Sequence, residues 1–312
     1  MGLAVETERA GECTRYGMHR LWISLIAMAA SVSAAGLPNP GLTRAEELYG
    51  RTEYRRAIDT LEAVGTRDAA GHALLGRAYF MEGLYKEAVA SLEKAVAEDG
   101  LNSDSYDWLG RAYGRLAEGS SFVTALKYAR KTVHAFERAV ELGPSNPEAL
   151  SGLFEFYLEA PGIVGGGLDK AETIAGRFAG LNEAEYHWAR AWLAEKRKDA
   201  ASAEREYRAA LEAAPNEVGR TLDLAAFLSS RGRYRESEAL FRSAAEQHPD
   251  APKVLYARAA SYVQSRRKLG EAETLLERYL QVQTTPDDPT RREAAELMKS
   301  AQNLRSKYRQ AE

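Results

Sequence analysis

The chain is nearly without cysteine. Cys13 is the single one among 312 residues, which excludes a disulfide framework and any zinc or iron–sulfur site built on thiolates. Histidines are few: His19, His72, His134, His187 and His248. None stands in HExxH or another ligand spacing, and His72 and His187 fall at large-residue positions of helices, where packing accounts for them. An excess of either charge is also missing. Lys+Arg 42 against Asp+Glu 45 gives a net charge of −3, which excludes a globally basic nucleic-acid binder and a strongly acidic tail. No apolar run reaches the ~20 residues that a spanning helix needs. Phosphate-loop and GxSxG motifs are lacking as well, and acid pairs such as Asp104 and Asp107 sit at helical positions read as solvated faces. Yet 45% hydrophobic and 28% charged residues describe neither a disordered nor a fibrous chain. The length suits two ordinary domains or one extended array.

The N-terminus reads as an export signal, residues 1–35. His19 and Arg20 precede an apolar stretch, Leu21 to Ala30. Small residues follow from Ser31 to Ala35, then Gly36 and Pro38. This is the order of basic flank, apolar core and small-x-small cleavage site, with the cut expected after Ala34 (Val32 at −3) or Ala35 (Ser33 at −3). Met18-His19-Arg20 makes a more ordinary beginning for such a signal than residues 1–17 do. After cleavage no membrane span remains, and the mature chain is expected to be periplasmic or secreted.

The rest is periodic. A small residue recurs on an apolar helical face at Ala45, Gly76, Gly110, Ala191, Ala225 and Ala259, and the steps 76→110, 191→225 and 225→259 are each 34 residues. Three residues later stand Leu48, Tyr79, Tyr113, Leu228 and Tyr262. A second helix carries Ala88-Leu92-Ala95, Ala203-Tyr207-Ala210 and Ser237-Phe241-Ala244, and Pro144, Pro215 and Pro249 close several units. A fixed period of this size marks stacked hairpins, because one hairpin cannot bury its apolar stripe alone.

This pattern resembles the tetratricopeptide repeat (TPR), most closely in Leu75-Gly76-Arg77-Ala78-Tyr79 with Gly83-Leu84-Tyr85, Ala88, Leu92 and Ala95. The resemblance runs from about Gly41 to Gln283. It implies an all-α fold, a right-handed α-solenoid of about seven hairpins over 41–285 with a C-terminal capping helix over 286–312. Asp288-Pro289 reads as the N-cap and first residue of that helix, with Ala294, Met298, Ala301, Leu304 and Tyr308 on one face.

Two units depart from register. From Gly110 to Ala139 is 29 residues, where Gly76 to Ala95 is 19, so the third unit carries ten extra. Phe122, Leu126, Ala129, Val133, Phe136 and Val140 keep helical spacing, which places the insertion in extra turns of the second helix after Gly119-Ser120-Ser121. In the fourth unit Phe154 occupies the small-residue position, and the link Ala160-Pro161-Gly162-Ile163-Val164-Gly165-Gly166-Gly167 is long and glycine-rich. That segment is read as a turn, with a ligand-gripping loop as the alternative. The same arrangement is similar to exported bacterial TPR proteins, a likeness that carries no activity.

In the TPR family the first helices line an inner groove. The resemblance thus nominates Arg77, Phe80 and Met81; Asp104, Asp107, Arg111 and Arg115; Glu155 and Glu159; Trp188 and Trp192; and Tyr256. Trp188 and Trp192 share a face at i, i+4 and read either as packing between helices or as an aromatic anchor. The expected function is a non-catalytic scaffold that needs no cofactor and binds protein or peptide segments of the cell envelope, not nucleic acid. The alternatives are a carbohydrate- or peptidoglycan-binding module and an enzyme with an unrecognised groove site.

Overall fold

The computed structural model of the chain describes residues 40–65 and 68–309. The expected export signal and its cleavage sites lie outside the described residues, as does the side chain of Tyr308. Among the described residues there are fifteen α-helices and no strand. Fourteen of them pair into hairpins: α1 (Pro40–Gly50) with α2 (Tyr54–Val64), α3 (Ala69–Met81) with α4 (Tyr85–Glu98), and α5 (Ser103–Glu118) with α6 (Phe122–Leu142). The series continues with α7 (Pro147–Glu159) and α8 (Leu168–Arg177), α9 (Glu183–Lys196) and α10 (Ala200–Ala213), α11 (Val218–Ser230) and α12 (Tyr234–Gln247), and α13 (Lys253–Gln264) and α14 (Leu269–Gln281). The last helix is α15 (Arg291–Arg309).

The small residues set how closely the hairpins close. A Cβ on Gly76 would come 2.5 Å from Leu92, and one on Gly110 2.6 Å from Phe136; Ala191, Ala225 and Ala259 are fully buried. The residue three positions later does more than fill space. Where it is tyrosine its hydroxyl reaches the preceding hairpin: Tyr79 donates to Glu62, Tyr113 to Glu93, and Tyr262 to Glu238 at 2.7 Å. Tyr157 does the same toward Glu137 at 2.8 Å. Each bond ties one repeat to the one before it and satisfies the polar tip of a phenol whose body is buried in Tyr113, Tyr157 and Tyr262 and half-buried in Tyr79. Helix starts follow their caps. Asp68, Asn102, Asn182 and Asp199 each accept from the amide three residues on, and Asn146 does so with Pro147 at the first helical position.

The ten extra residues do lengthen α6, to 21 residues. At 1.5 Å per residue that is about 31 Å, against about 24 Å for its partner α5. The helical stripe read along it is not buried throughout. Phe136 and Val140 are in the core, Val133 is half-buried, but Phe122 is 75% exposed, because the first turns of α6 run past the helix they pair with. The capping helix also begins later than the Asp288-Pro289 reading. Asp288 accepts from the Thr285 amide (2.8 Å) and hydroxyl (3.0 Å), closing a turn. The helix starts at a capping box instead, in which Glu293 accepts from the Thr290 amide at 2.7 Å and Thr290 accepts from the Glu293 amide at 3.1 Å. Phe154, at the small position of the fourth unit, is fully buried; the short α8 and long link leave room for it.

The two ends of the solenoid meet. Gln283 donates to the Arg51 carbonyl at 3.0 Å, the Thr52 and Thr284 hydroxyls lie 3.2 Å apart, and Arg292 donates to the Tyr85 hydroxyl at 2.7 Å. Thr284 and Asp288 are buried in this junction.

Candidate partner-binding face

The first helices of neighbouring hairpins touch one another along α1, α3, α5, α7 and α9, and again from α11 to α13. Their layer carries two chemically different stretches.

The first is basic and aromatic and centres on Trp108, which the sequence reading passed over. The Arg77 guanidinium lies 5.3 Å from the Trp108 ring and 4.8 Å from Tyr49, and Arg111 lies 5.5 Å from the same indole. Phe80 meets Trp108 edge-on at 5.3 Å. Nε of Arg77 is buried without a hydrogen-bond partner, and stacking between two rings, worth about 0.5–2 kcal/mol per contact, adds to the polar contact of its guanidinium with Tyr49. Arg115 donates to the Tyr85 hydroxyl at 3.1 Å and pairs with Glu118 at 2.9 Å. Tyr49, Arg77, Asp104, Trp108 and Pro286 line a cleft of about 440 Å³, so the closing segment supplies one of its walls.

The second stretch is acidic. Arg111 donates to Asp107 at 2.6 Å, and beyond it stand Glu155, Glu159 and Glu185. Glu159 is held by Lys196 at 2.5 Å. Arg220 of α11 is the hub of the far end: it pairs with Glu185, with Asp223 at 3.2 Å and with Glu217 at 3.5 Å, while its guanidinium lies 5.8 Å from the Trp188 ring. Crowding of carboxylates on one protein surface raises their proton affinity. Desolvation by the packed helices lifts the Glu185 carboxyl above the ordinary range against the opposing pull of Arg220 and pushes Asp223 up to about 6; Glu155 is raised for the same reason, although its side chain opens to solvent at the surface.

The nominated residues divide by exposure. Arg77, Phe80, Arg111, Arg115 and Trp192 are half-buried, and Asp104, Glu155 and Glu159 are open. Met81, Asp107 and Trp188 are buried, at 8%, 3% and 8% exposure. Asp107 is turned against Gly152, where an added Cβ would fall 2.7 Å from its carboxylate, and Trp188 packs on Phe154 at 5.7 Å and Trp192 at 5.0 Å. Tyr256 stands apart from the others; it packs on Tyr279 at 5.7 Å and feels Glu293 and Glu296 of α15. Arg220, Glu185 and Asp223 were missed because nothing in their spacing separates a hub from the solvated acids and bases of any helix. Trp108, between Asp107 and Arg111 in sequence, was the available signal.

The glycine-rich link is a closed turn. The amides of Gly165, Gly166 and Gly167 donate to the carbonyls of Gly162, Pro161 and Tyr157 at 3.0, 3.3 and 2.8 Å, so they are turned away from any anion that a loop of this kind would grip. Gly165 adopts φ +102°, and a Cβ on Gly166 would fall 1.8 Å from the Ala160 carbonyl oxygen. Lys170 reaches back to the Gly165 carbonyl at 2.9 Å. Among the described residues no three His, Cys, Asp or Glu side chains are placed to hold a metal, and no helix is long and apolar enough to cross a membrane.

A family model described as tetratricopeptide repeat matches residues 42–103 and 223–289. Among curated proteins no sequence matches. Of the solved structures, a tetratricopeptide repeat protein from Parabacteroides merdae is 14% identical, covering 84% of this chain and 97% of its own with a TM-score of 0.56. A thermophilic TPR protein from Thermus thermophilus is 21% identical over 64% of this chain and 97% of its own, TM-score 0.49. The likeness to the Parabacteroides structure concerns the fold, and it agrees with the 34-residue period, the small-residue positions and the paired helices: the chain carries tetratricopeptide repeats at 42–103 and 223–289 and has the fold of a tetratricopeptide-repeat solenoid.

Proposed function

We propose that this protein is an extracytoplasmic scaffold without catalysis that grips a segment of an envelope protein along the layer of first helices. A TPR solenoid is a protein-interaction fold, and the observation that carries the finer reading is the division of that layer. Arginines stacked on Tyr49 and Trp108 at one end, and under-neutralised carboxylates from Glu155 to Asp223 at the other, favour an extended segment bearing both charge signs, acidic where it meets Arg77 and Arg115, basic where it meets Glu155. Half-buried Trp192, on α9 within the acidic stretch, offers apolar area at low entropic cost. The carbohydrate alternative depended on a platform of two indoles, and Trp188 is buried. The export reading rests on the order of Arg20, the apolar run and Ala34-Ala35.

The test is crosslinking in the native envelope followed by mass spectrometry of captured proteins. Glu155→Lys and Arg115→Glu should each remove the same captured partner while the helical circular dichroism stays unchanged. Capture that survives both changes would dismiss this face. Intact mass of the native protein checks export: a mature N-terminus at Ala35 or Gly36 is expected, and a soluble cytoplasmic form retaining residues 21–34 would refute it.

A further inference from the structure

The insertion in the third repeat makes a surface that neither the packing of the solenoid nor the inner face uses. We infer that the free first turns of α6 dock on an anionic lipid bilayer. Phe122 and Val123, the first two residues of the helix, are 75% and 77% exposed, and no hairpin partner extends to cover them. Ile163, 69% exposed, stands on the glycine-rich turn, which meets α6 further along, at Val133. These are three of the seven large apolar side chains that stand out of the described surface.

Along the first half of α6 the charge is of one sign, Glu118 at the end of α5 being paired with Arg115. No acid occurs from Gly119 to Phe136, a stretch holding Lys127, Arg130, Lys131 and His134. Val123, Lys127, Arg130 and His134 follow one another at intervals of four, three and four residues, so they share one helical face, and all four are exposed. Lys131, turned aside, pairs with Glu93 at 3.2 Å, which leaves Lys127 and Arg130 to carry the outward charge. Arg130, Lys131 and His134 also rim an open cleft of about 400 Å³ whose floor is Tyr106, Leu109, Tyr113 and Ala135.

An apolar tip followed by a basic stripe is how an interfacial helix meets phospholipid: the tip enters the acyl boundary and the stripe faces phosphates. A nucleic acid would satisfy the charges but would leave Phe122 and Val123 in water. A second copy of the chain would bury the tip but would bring two basic stripes together. This inference does not depend on the scaffold reading, since it uses a different surface.

The experiment is co-sedimentation of the full chain with vesicles of phosphatidylglycerol and phosphatidylcholine, and with vesicles of phosphatidylcholine alone, at low and high salt. Two double variants accompany it, Phe122→Ser with Val123→Ser, and Lys127→Glu with Arg130→Glu. All four side chains are exposed, so the variants should keep the wild-type circular dichroism. Binding is expected to the anionic vesicles, to fall with salt, and to weaken on the order of tenfold or more in each double variant. Absence of binding to anionic vesicles, equal binding to both vesicle types, or binding that the variants leave intact would overturn the inference. So would a dimer in light scattering that the Phe122→Ser and Val123→Ser variant dissolves, which would assign the surface to a second copy.

Discussion

Arg292 of α15 donates to the hydroxyl of Tyr85, the first residue of α4, across 207 positions of sequence and 2.7 Å of space. The same hydroxyl receives Arg115, so one phenol oxygen joins the second hairpin, the third and the C-terminal helix. Gly83 makes the approach possible. It holds φ +77°, and an added Cβ would fall 2.8 Å from Nε of Arg292. Hairpins that contact only their neighbours give a one-dimensional array; this contact, with those of Gln283 and Thr284, adds a long-range closure.

Arg292→Ala should therefore loosen the closure selectively. Hydrogen exchange is expected to rise at residues 51–54 and 283–290 while α9 to α12 exchange as before, with a stability loss on the order of 1 kcal/mol. Unchanged exchange at both ends would show that the junction is held by something other than this arginine.

The glycine-rich turn offers a matched pair of substitutions. Gly166→Ala forces a methyl onto the Ala160 carbonyl, a backbone group that cannot swing aside, and should cost about 1–3 kcal/mol. Gly162→Ala meets nothing within 4 Å and should stay within about 0.5 kcal/mol of wild type. Urea midpoints decide; equal midpoints for the two variants would refute the account of the turn.

Asp223 gives a pH dependence with a definite sign. In the folded protein burial pushes its carboxyl up to about 6, above the ordinary aspartate value of about 3.9 that holds in the unfolded chain. The folded state therefore holds the proton more tightly, its contribution is fully present below the unfolded value, and it is lost as pH rises through about 6. Asp223→Asn should flatten that decline between about pH 4 and 6. Urea midpoints measured across this window in both proteins test it, and parallel slopes would clear Asp223 of the effect.

The two indoles should separate. Trp188, buried against Phe154, should cost about 3–5 kcal/mol when cut to alanine. Trp192, half-buried, should cost clearly less and should act mainly on partner capture. Comparable denaturation losses for the two would place Trp192 in the core as well.

The period of 34 residues, the small positions at Gly76, Gly110, Ala191, Ala225 and Ala259, and the helical spacing through the third-repeat insertion were legible without coordinates. Each is a local property: side-chain volume and spacing decide which face of a helix is buried and how near its partner comes. Tyr79, Tyr113 and Tyr262 were legible as apolar positions three residues on but not as donors to Glu62, Glu93 and Glu238, since the acceptor lies on the preceding hairpin. What only the tertiary structure decided was distance between parts remote in sequence. Whether Trp188 faces a groove or a neighbour depends on Phe154 and Arg220, from two other hairpins. Whether Phe122 is covered depends on where α5 stops. That Arg292 finds Tyr85 depends on a small rotation repeated over seven hairpins, a sum that no window of sequence contains.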